Sequence, residues 1–308
     1  MRREIRTGTA LLITGVLLGL APLAVSDYEV SFLLDLLMWI SLTGSWIILS
    51  GYTGYISLAH SAFYGLGAYF MALTWTKMPY VLGVLLGGGV CAGFAMLIGF
   101  PFLRVRGPYF VILTLGLTEL TKYIFINLEI KLGGTVGRIL MTTPELNTLY
   151  YSMLVVCIAV LFTAWGIKNS RFGTALLTIK EDEEAAGALG INTSLCKWLA
   201  FGISAFFPGM VGAILALRRS YIDPYTVFDP VVSFQVIVMA FLGGIEGIQG
   251  AVVGAVILTV ISELLWSQYP YFYLIILGFV MVLMVKFMPE GILQAIKETL
   301  FKFKRYPS

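Results

Sequence analysis

The chain has 308 residues, of which 59% are hydrophobic and only 12% charged, and its formal net charge is +3. Apolar runs recur from the first residues to the last, so the composition excludes a soluble globular protein and leaves no stretch for a separate polar domain. A helix that crosses lipid needs roughly 20 apolar residues, which allows about ten crossings with short connections.

The fold class that follows is all-α, a polytopic helical membrane protein with about 8–10 transmembrane helices. Residues 1–308 form a single transmembrane domain with a charged loop at about 168–197. The 33 glycines exceed what plain apolar helices need, and they predict close helix packing with broken or re-entrant segments. Cys91, Cys157 and Cys196 are scattered, and there is one histidine. No CxxC pair, metal-ligand spacing or Ser/His/Asp set is present, so no catalytic or metal-binding residue is assigned. No GxxxxGK[ST] loop occurs, so no cofactor is assigned to this chain. The small positive charge reads as membrane topology rather than affinity for nucleic acid.

In chain order, Arg2, Arg3 and Arg6 precede an uncleaved first span at 8–25. The second, at 30–50, carries Asp35 close to its start, where it can reach water. Gly51 to Leu73, GYTGYISLAHSAFYGLGAYFMAL, opens on polar and glycine residues and predicts a broken span within 55–76. A span at 80–102 is followed by Arg104 and Arg106. The next, at 109–127, holds Glu119 and Lys122 three residues apart, able to pair near its outer end. A loop at 128–147 with Glu129, Lys131, Arg138 and Glu145 leads to a span at 148–167.

The stretch 175–195, ALLTIKEDEEAAGALGINTSL, is a concentration of charge and small residues in an apolar chain. It predicts a water-exposed helix capped by Thr174, an elbow at Gly190, and a second helix capped by Asn192 or Thr193. Lys168, Arg171, Lys180 and Lys197 flank it. After the span at 198–217, Arg218 and Arg219 are expected to snorkel to headgroups of the surrounding membrane lipid. Spans at 231–243, 249–266 and 271–288 complete the set. Phe241 to Ala255, FLGGIEGIQGAVVGA, is a second glycine-rich interruption with Glu246 and Gln249, and Glu263 lies near an outer end. Lys297, Lys302, Lys304 and Arg305 follow the last span. Crossing parity and the positive-inside rule place both termini and the 168–197 loop in the cytoplasm. Hydroxyls, backbone groups and small residues would line a pathway for a solute, with Ser57, His60, Thr114 and Gln249 as lining candidates.

GYTGYISLAHSAFYGLGAYFMAL, RGPYFVILTLGLTEL (Arg106 to Leu120), GGTVG (Gly133 to Gly137), the charged loop and FLGGIEGIQGAVVGA occur in one order. Together they resemble the inner-membrane permeases of branched-chain amino-acid ABC importers, the LivM type, over nearly the whole chain. The resemblance implies that Glu181, Asp182, Glu183, Glu184, Ala185, Ala186 and Gly190 form the EAA-type coupling loop. The chain then departs from the wider pattern, continuing NTSLCKWLAF with no Ile-x-Leu-Pro element.

The resemblance further implies a prokaryotic inner-membrane location and a second homologous permease completing the pathway. Two ATP-binding subunits would use the ATP, and an extracytoplasmic solute-binding protein would deliver leucine, isoleucine, valine or related amino acids and amides. The alternative is a stand-alone secondary transporter or channel in which Glu119, Lys122 and Glu263 relay an ion.

Overall fold

A computed structural model describes residues 25–268 except 141, 142 and 246, with isolated positions on either side. The expected spans at 8–25 and 271–288, the basic residues of both termini and Glu246 lie outside the described residues, apart from those isolated positions.

Seven described helices are long and apolar enough to cross a membrane: Asp27–Gly51, Tyr80–Phe102, Pro108–Lys131, Leu146–Lys168, Thr193–Arg219, Pro224–Gly243 and Ile248–Leu265. They match seven of the expected spans. Asp27–Trp46 (α1) starts where the amide and hydroxyl of Ser26 both donate to the Glu29 carboxylate, at 2.8 and 2.9 Å. It ends in a π-helical turn over Ile47–Gly51, a geometry that recurs where helices are interrupted for function.

From Gly54 the chain runs without helix to His60–Thr74 (α2). At about 1.5 Å per residue, these 15 residues fall short of the roughly 30 Å hydrocarbon layer. The expected span at 55–76 is therefore discontinuous: an irregular Gly54–Ala59 half and a helical half.

Tyr80–Phe102 (α3) and Pro108–Gly133 (α4) follow. Pro108 opens α4 behind Gly107 (φ +62°), and Gly134 in the left-handed region closes it. Leu146–Lys168 (α5) leads to the short Arg171–Glu181 (α6) and Glu183–Ala188 (α7), then to the long Thr193–Arg219 (α8). Pro224–Val227 (α9), Pro230–Gly243 (α10) and Ile248–Gln268 (α11) end the described chain. Arg138–Ile139 (β1) pairs antiparallel with Tyr221–Ile222 (β2) at the end remote from α6 and α7.

The most buried span is α8, which packs on α1, α2, α3 and α5. Its crossing with α2 is a backbone contact. A Cβ on Gly67 would lie 1.9 Å from the Gly209 carbonyl oxygen, and one on Gly212 would lie 1.9 Å from that of Tyr64. Small residues permit this approach, which hydrocarbon solvent does not otherwise favour.

The glycines of Phe241–Ala255 serve the same purpose. They form the tight turn between α10 and α11 rather than a break inside a span, and a Cβ on Gly254 would lie 1.8 Å from the Met239 carbonyl oxygen.

Several charged groups at the end away from α7 have protein partners. Arg218 does not snorkel: its guanidinium grips the Asp35 carboxylate from both nitrogens and reaches Ser31 Oγ at 2.7 Å. Asp35 therefore has a protein partner rather than water alone. Glu263 accepts a 2.7 Å hydrogen bond from the Tyr28 hydroxyl. Glu129 is buried, accepting from the Gly137 amide at 2.8 Å and pairing with Arg138 at 3.2 Å.

Candidate functional site: the elbow and the broken segment

The charged stretch folds as two helices rather than one. Ser170, not Thr174, caps the first, its hydroxyl accepting from the Gly173 amide at 3.1 Å. Gly173, Leu176 and Ile179 bury one face of α6, three residues apart. Asp182 is extended (φ −155°) and interrupts the helix, because its carboxylate caps a new one. It accepts from the amides of Glu184 at 2.8 Å and Ala185 at 3.0 Å.

Gly190, with φ +85°, ends α7 in the left-handed conformation that the sequence predicts. The amides of Ile191 and Gly190 return to the carbonyls of Ala186 and Gly187, at 3.1 and 3.0 Å, which satisfies the helix end. Asn192 then caps α8 through the Leu195 amide at 3.1 Å. Together α6, α7 and the start of α8 make a closely braced elbow.

The seven candidate residues divide by direction. Glu181, Asp182, Glu184, Ala185 and Gly190 are exposed, whereas Ala186 is buried and Glu183 points inward. With Gly187, Ala188 and Leu189, the exposed alanine forms a narrow apolar face on the elbow's outer side.

Glu183 meets a site that the sequence reading did not assemble. Its carboxylate accepts from Lys197 Nζ at 2.6 Å and from the Tyr55 hydroxyl at 2.6 Å, with Arg106 Nε at 3.3 Å. Lys197 is only 3% exposed, and its three protons are all placed, on Glu183, on Tyr55 Oη at 2.9 Å and on the Leu103 carbonyl at 3.0 Å. Burial pushes the Glu183 carboxyl up, but the Lys197 and Tyr55 hydrogen bonds and the Lys197 and Arg106 charges outweigh it and leave it lowered. Cavities of about 330 and 600 Å³ flank this cluster, and both touch Arg106 and Glu183.

In the sequence alone, Lys197 and Arg106 stand only as basic flanks of apolar spans. The available signal was a lysine at the mouth of an apolar helix, 14 residues after Glu183.

Tyr55 belongs to the broken segment, so the cluster ties the elbow to it. Two residues on, Ser57 is buried, and its carbonyl accepts from the Trp46 indole at 2.9 Å. Irregular backbone at membrane depth must find its hydrogen bonds within the protein, and here hydroxyl side chains supply them. Ser57 N donates to Ser50 Oγ at 3.2 Å and Leu58 N to Thr114 Oγ1 at 3.0 Å. The Leu58 carbonyl accepts from Ser233 at 2.9 Å and Thr118 at 3.2 Å, and Ser61 N donates to Ser233 at 2.9 Å. His60 Nε2 lies 3.3 Å from Ser45 Oγ.

Three of the four lining candidates, Ser57, His60 and Thr114, are thus brought together as the buried support of the unwound backbone. Gln249 is exposed on the first turn of α11 and does not join them.

Comparison with known proteins gives this architecture a context. The family model for the permease component of branched-chain amino acid transport systems matches residues 30–285. The Salmonella typhimurium protein described as high-affinity branched-chain amino acid transport system permease protein LivM is 30% identical, the match covering 88% of this chain and 71% of the relative. Its Escherichia coli counterpart is also 30% identical over 80% of this chain, and the match covers 65% of that protein, just under two thirds. The Salmonella typhimurium permease protein LivH is 33% identical over 46% of the chain and 45% of its own length. No solved structure matches. With most of the chain matched and seven apolar helices in place, this is a multi-pass helical membrane protein that belongs to the family of branched-chain amino acid transport permeases, LivM type.

Proposed function

We propose that the chain is one of two membrane subunits of an ATP-driven importer in a prokaryotic inner membrane. Its substrates are leucine, isoleucine and valine, or related amino acids and amides, delivered by an extracytoplasmic binding protein. A second permease, related as LivH is to LivM, completes the pathway. Two ATP-binding subunits grip the elbow at the cytoplasmic face, where both termini also lie, and this chain itself binds no ATP.

The carrying observation is the division of the elbow. Its outer face is small, exposed and fit for a groove, while Glu183 links its inner side to the broken segment through Tyr55 and Lys197. Movement of the elbow is thereby delivered to the segment beside Ser57 and His60. The ATP-binding subunits shift this equilibrium only if they grip the elbow differently in their two states.

Glu184→Lys tests the reading. Glu184 is 86% exposed, and among the described residues its carboxylate pairs with Arg106 alone, at 3.7 Å, so reversal changes fold stability by less than about 0.5 kcal/mol. Co-purification with the ATP-binding subunits and ATP-dependent uptake are each expected to fall at least about tenfold, the equivalent of about 1.4 kcal/mol at the docking surface. Unchanged assembly and uptake would remove the coupling role. Uptake by the purified single chain, driven by an ion gradient and indifferent to ATP, would replace the importer with a stand-alone carrier.

A further inference from the structure

One ion pair lies far from the elbow and is unused by the coupling scheme. Lys122 Nζ sits 2.6 Å from a Glu119 carboxylate oxygen, one helical turn away on α4. Within the span Pro108–Lys131, Glu119 is about 17 Å from one end and about 18 Å from the other at ~1.5 Å per residue. The pair is therefore near the middle of the span, rather than near its outer end as the sequence suggests. Its Glu119 side chain is 38% exposed.

Ionised groups at this depth face a bundle interior or a water-filled cavity, not lipid tails. The exposed surface around the pair is mostly apolar, with the pair as its charged centre. Ile112, Gly116, Leu120, Tyr123 and Asn127 are exposed on the same side of α4. Open space surrounds Gly116, and α4 is the least apolar of the seven spans. The opposite side buries Thr114, Thr118 and Thr121 against the rest of the chain. An exposed ion pair midway along a helix whose inner face is already packed, set among apolar neighbours, describes one wall of a route that must hold water at the pair.

We propose that Glu119 and Lys122 form a station on that route for the zwitterionic head of an amino acid. The Lys122 ammonium takes the substrate carboxylate and the Glu119 carboxylate takes its ammonium, while the neighbouring apolar residues accommodate the side chain. The neutral pair suits a molecule carrying both charges, because a purely anionic or cationic solute would be repelled by one member. Between substrates the two groups satisfy each other, so the empty station carries no unpaired charge. This inference rests on the importer reading and adds the place where the substrate is met.

The test uses the complete complex of both permeases, ATP-binding subunits and binding protein in proteoliposomes. In a Cys196→Ser background, with Cys91 and Cys157 buried, Glu119→Cys is expected to react with a charged, membrane-impermeant thiol reagent. Leucine-loaded binding protein with ATP is expected to slow that labelling at least threefold. Glu119→Gln and Lys122→Gln are each expected to lower leucine uptake at least tenfold while ATP hydrolysis continues, and the double variant is expected to stay equally low.

Failure of the Glu119→Cys thiol to label in the assembled complex means lipid or a dry subunit contact covers the pair and overturns the station. Recovery of uptake in the double variant overturns it too, since a pair that only packs becomes dispensable once both charges are gone. Normal uptake by Glu119→Gln beside an active wild type would refute the station and leave the importer intact. Absence of ATP-driven uptake by the wild-type complex would refute the importer, and the station with it.

Discussion

Lys197→Met is expected to disconnect the elbow from the membrane helices. The substitution keeps an unbranched apolar side chain but leaves Glu183, only 12% exposed, beside Tyr55 with its principal cation gone. Removing one partner of a buried pair costs up to about 3–5 kcal/mol, and here the exposed Arg106 at 3.3 Å offsets only part of the remaining charge. The elbow has few other inward contacts, chiefly Ala186 in α7 and Leu176 and Ile179 in α6, so the loss is expressed as local opening of 182–190. Hydrogen exchange of the Glu184 to Gly190 amides is expected to accelerate at least a hundredfold, and ATP-dependent uptake to fall by at least tenfold. Glu183→Gln in the same chain should recover part of the protection, since a neutral amide no longer strands a charge. Exchange and uptake unchanged in Lys197→Met would mean that the cluster does not hold the elbow.

The same cluster sets a pH dependence of definite sign. The Glu183 carboxyl is lowered in the folded elbow, so its contribution is fully present above the ordinary glutamate value of about 4.3. It disappears only as pH falls through the lower folded value. Elbow protection, measured by exchange corrected for the intrinsic rate, is therefore expected to be flat from about pH 5 to 8 and to decline below about pH 4. A midpoint near neutrality would contradict the geometry.

The second large effect is expected at the crossing of α2 and α8. Gly67→Val places its Cβ where the Gly209 carbonyl oxygen now sits, 1.9 Å away, and that neighbour is backbone rather than a side-chain tip. The helices must separate, which also disturbs the close approach of Gly212 to the Tyr64 carbonyl one turn along. Overpacking of this kind costs about 1–3 kcal/mol, and a branched side chain at a backbone contact belongs at the upper end. Because α2 is the helical half of the discontinuous span, the displacement reaches His60 and the hydroxyl network at its start. Thermal unfolding in detergent is expected to shift down by several degrees and uptake to be lost. Gly89→Ala and Gly93→Ala supply the control, since a Cβ at either position meets nothing within 4 Å. Equal damage from all three would show that helix propensity or insertion, not the crossing, is limiting.

Much of this protein is determined by its sequence alone. Apolar runs of spanning length specify the helices, because hydrocarbon leaves the backbone no other way to satisfy itself. The glycine and polar opening of Gly51–Leu73 signals a discontinuous span, and the local chemistry of Gly190 and Asn192 specifies a helix end and a helix start. These features depend on residues within a few positions of one another.

Tertiary structure decided what depends on distant partners. Asp182 reads as one more acid in a helix until its carboxylate is seen capping α7, which turns Glu183 inward and leaves Glu184 out. Lys197 reads as a cytoplasmic flank until Tyr55, 142 residues away, and Leu103 close around it. Ser57, Thr114 and Ser233 come from three separate helical neighbourhoods and become one hydroxyl network because the unwound backbone demands partners. Hydropathy and spacing register how costly a polar group is in a membrane, and only the packed chain supplies the partner that offsets it.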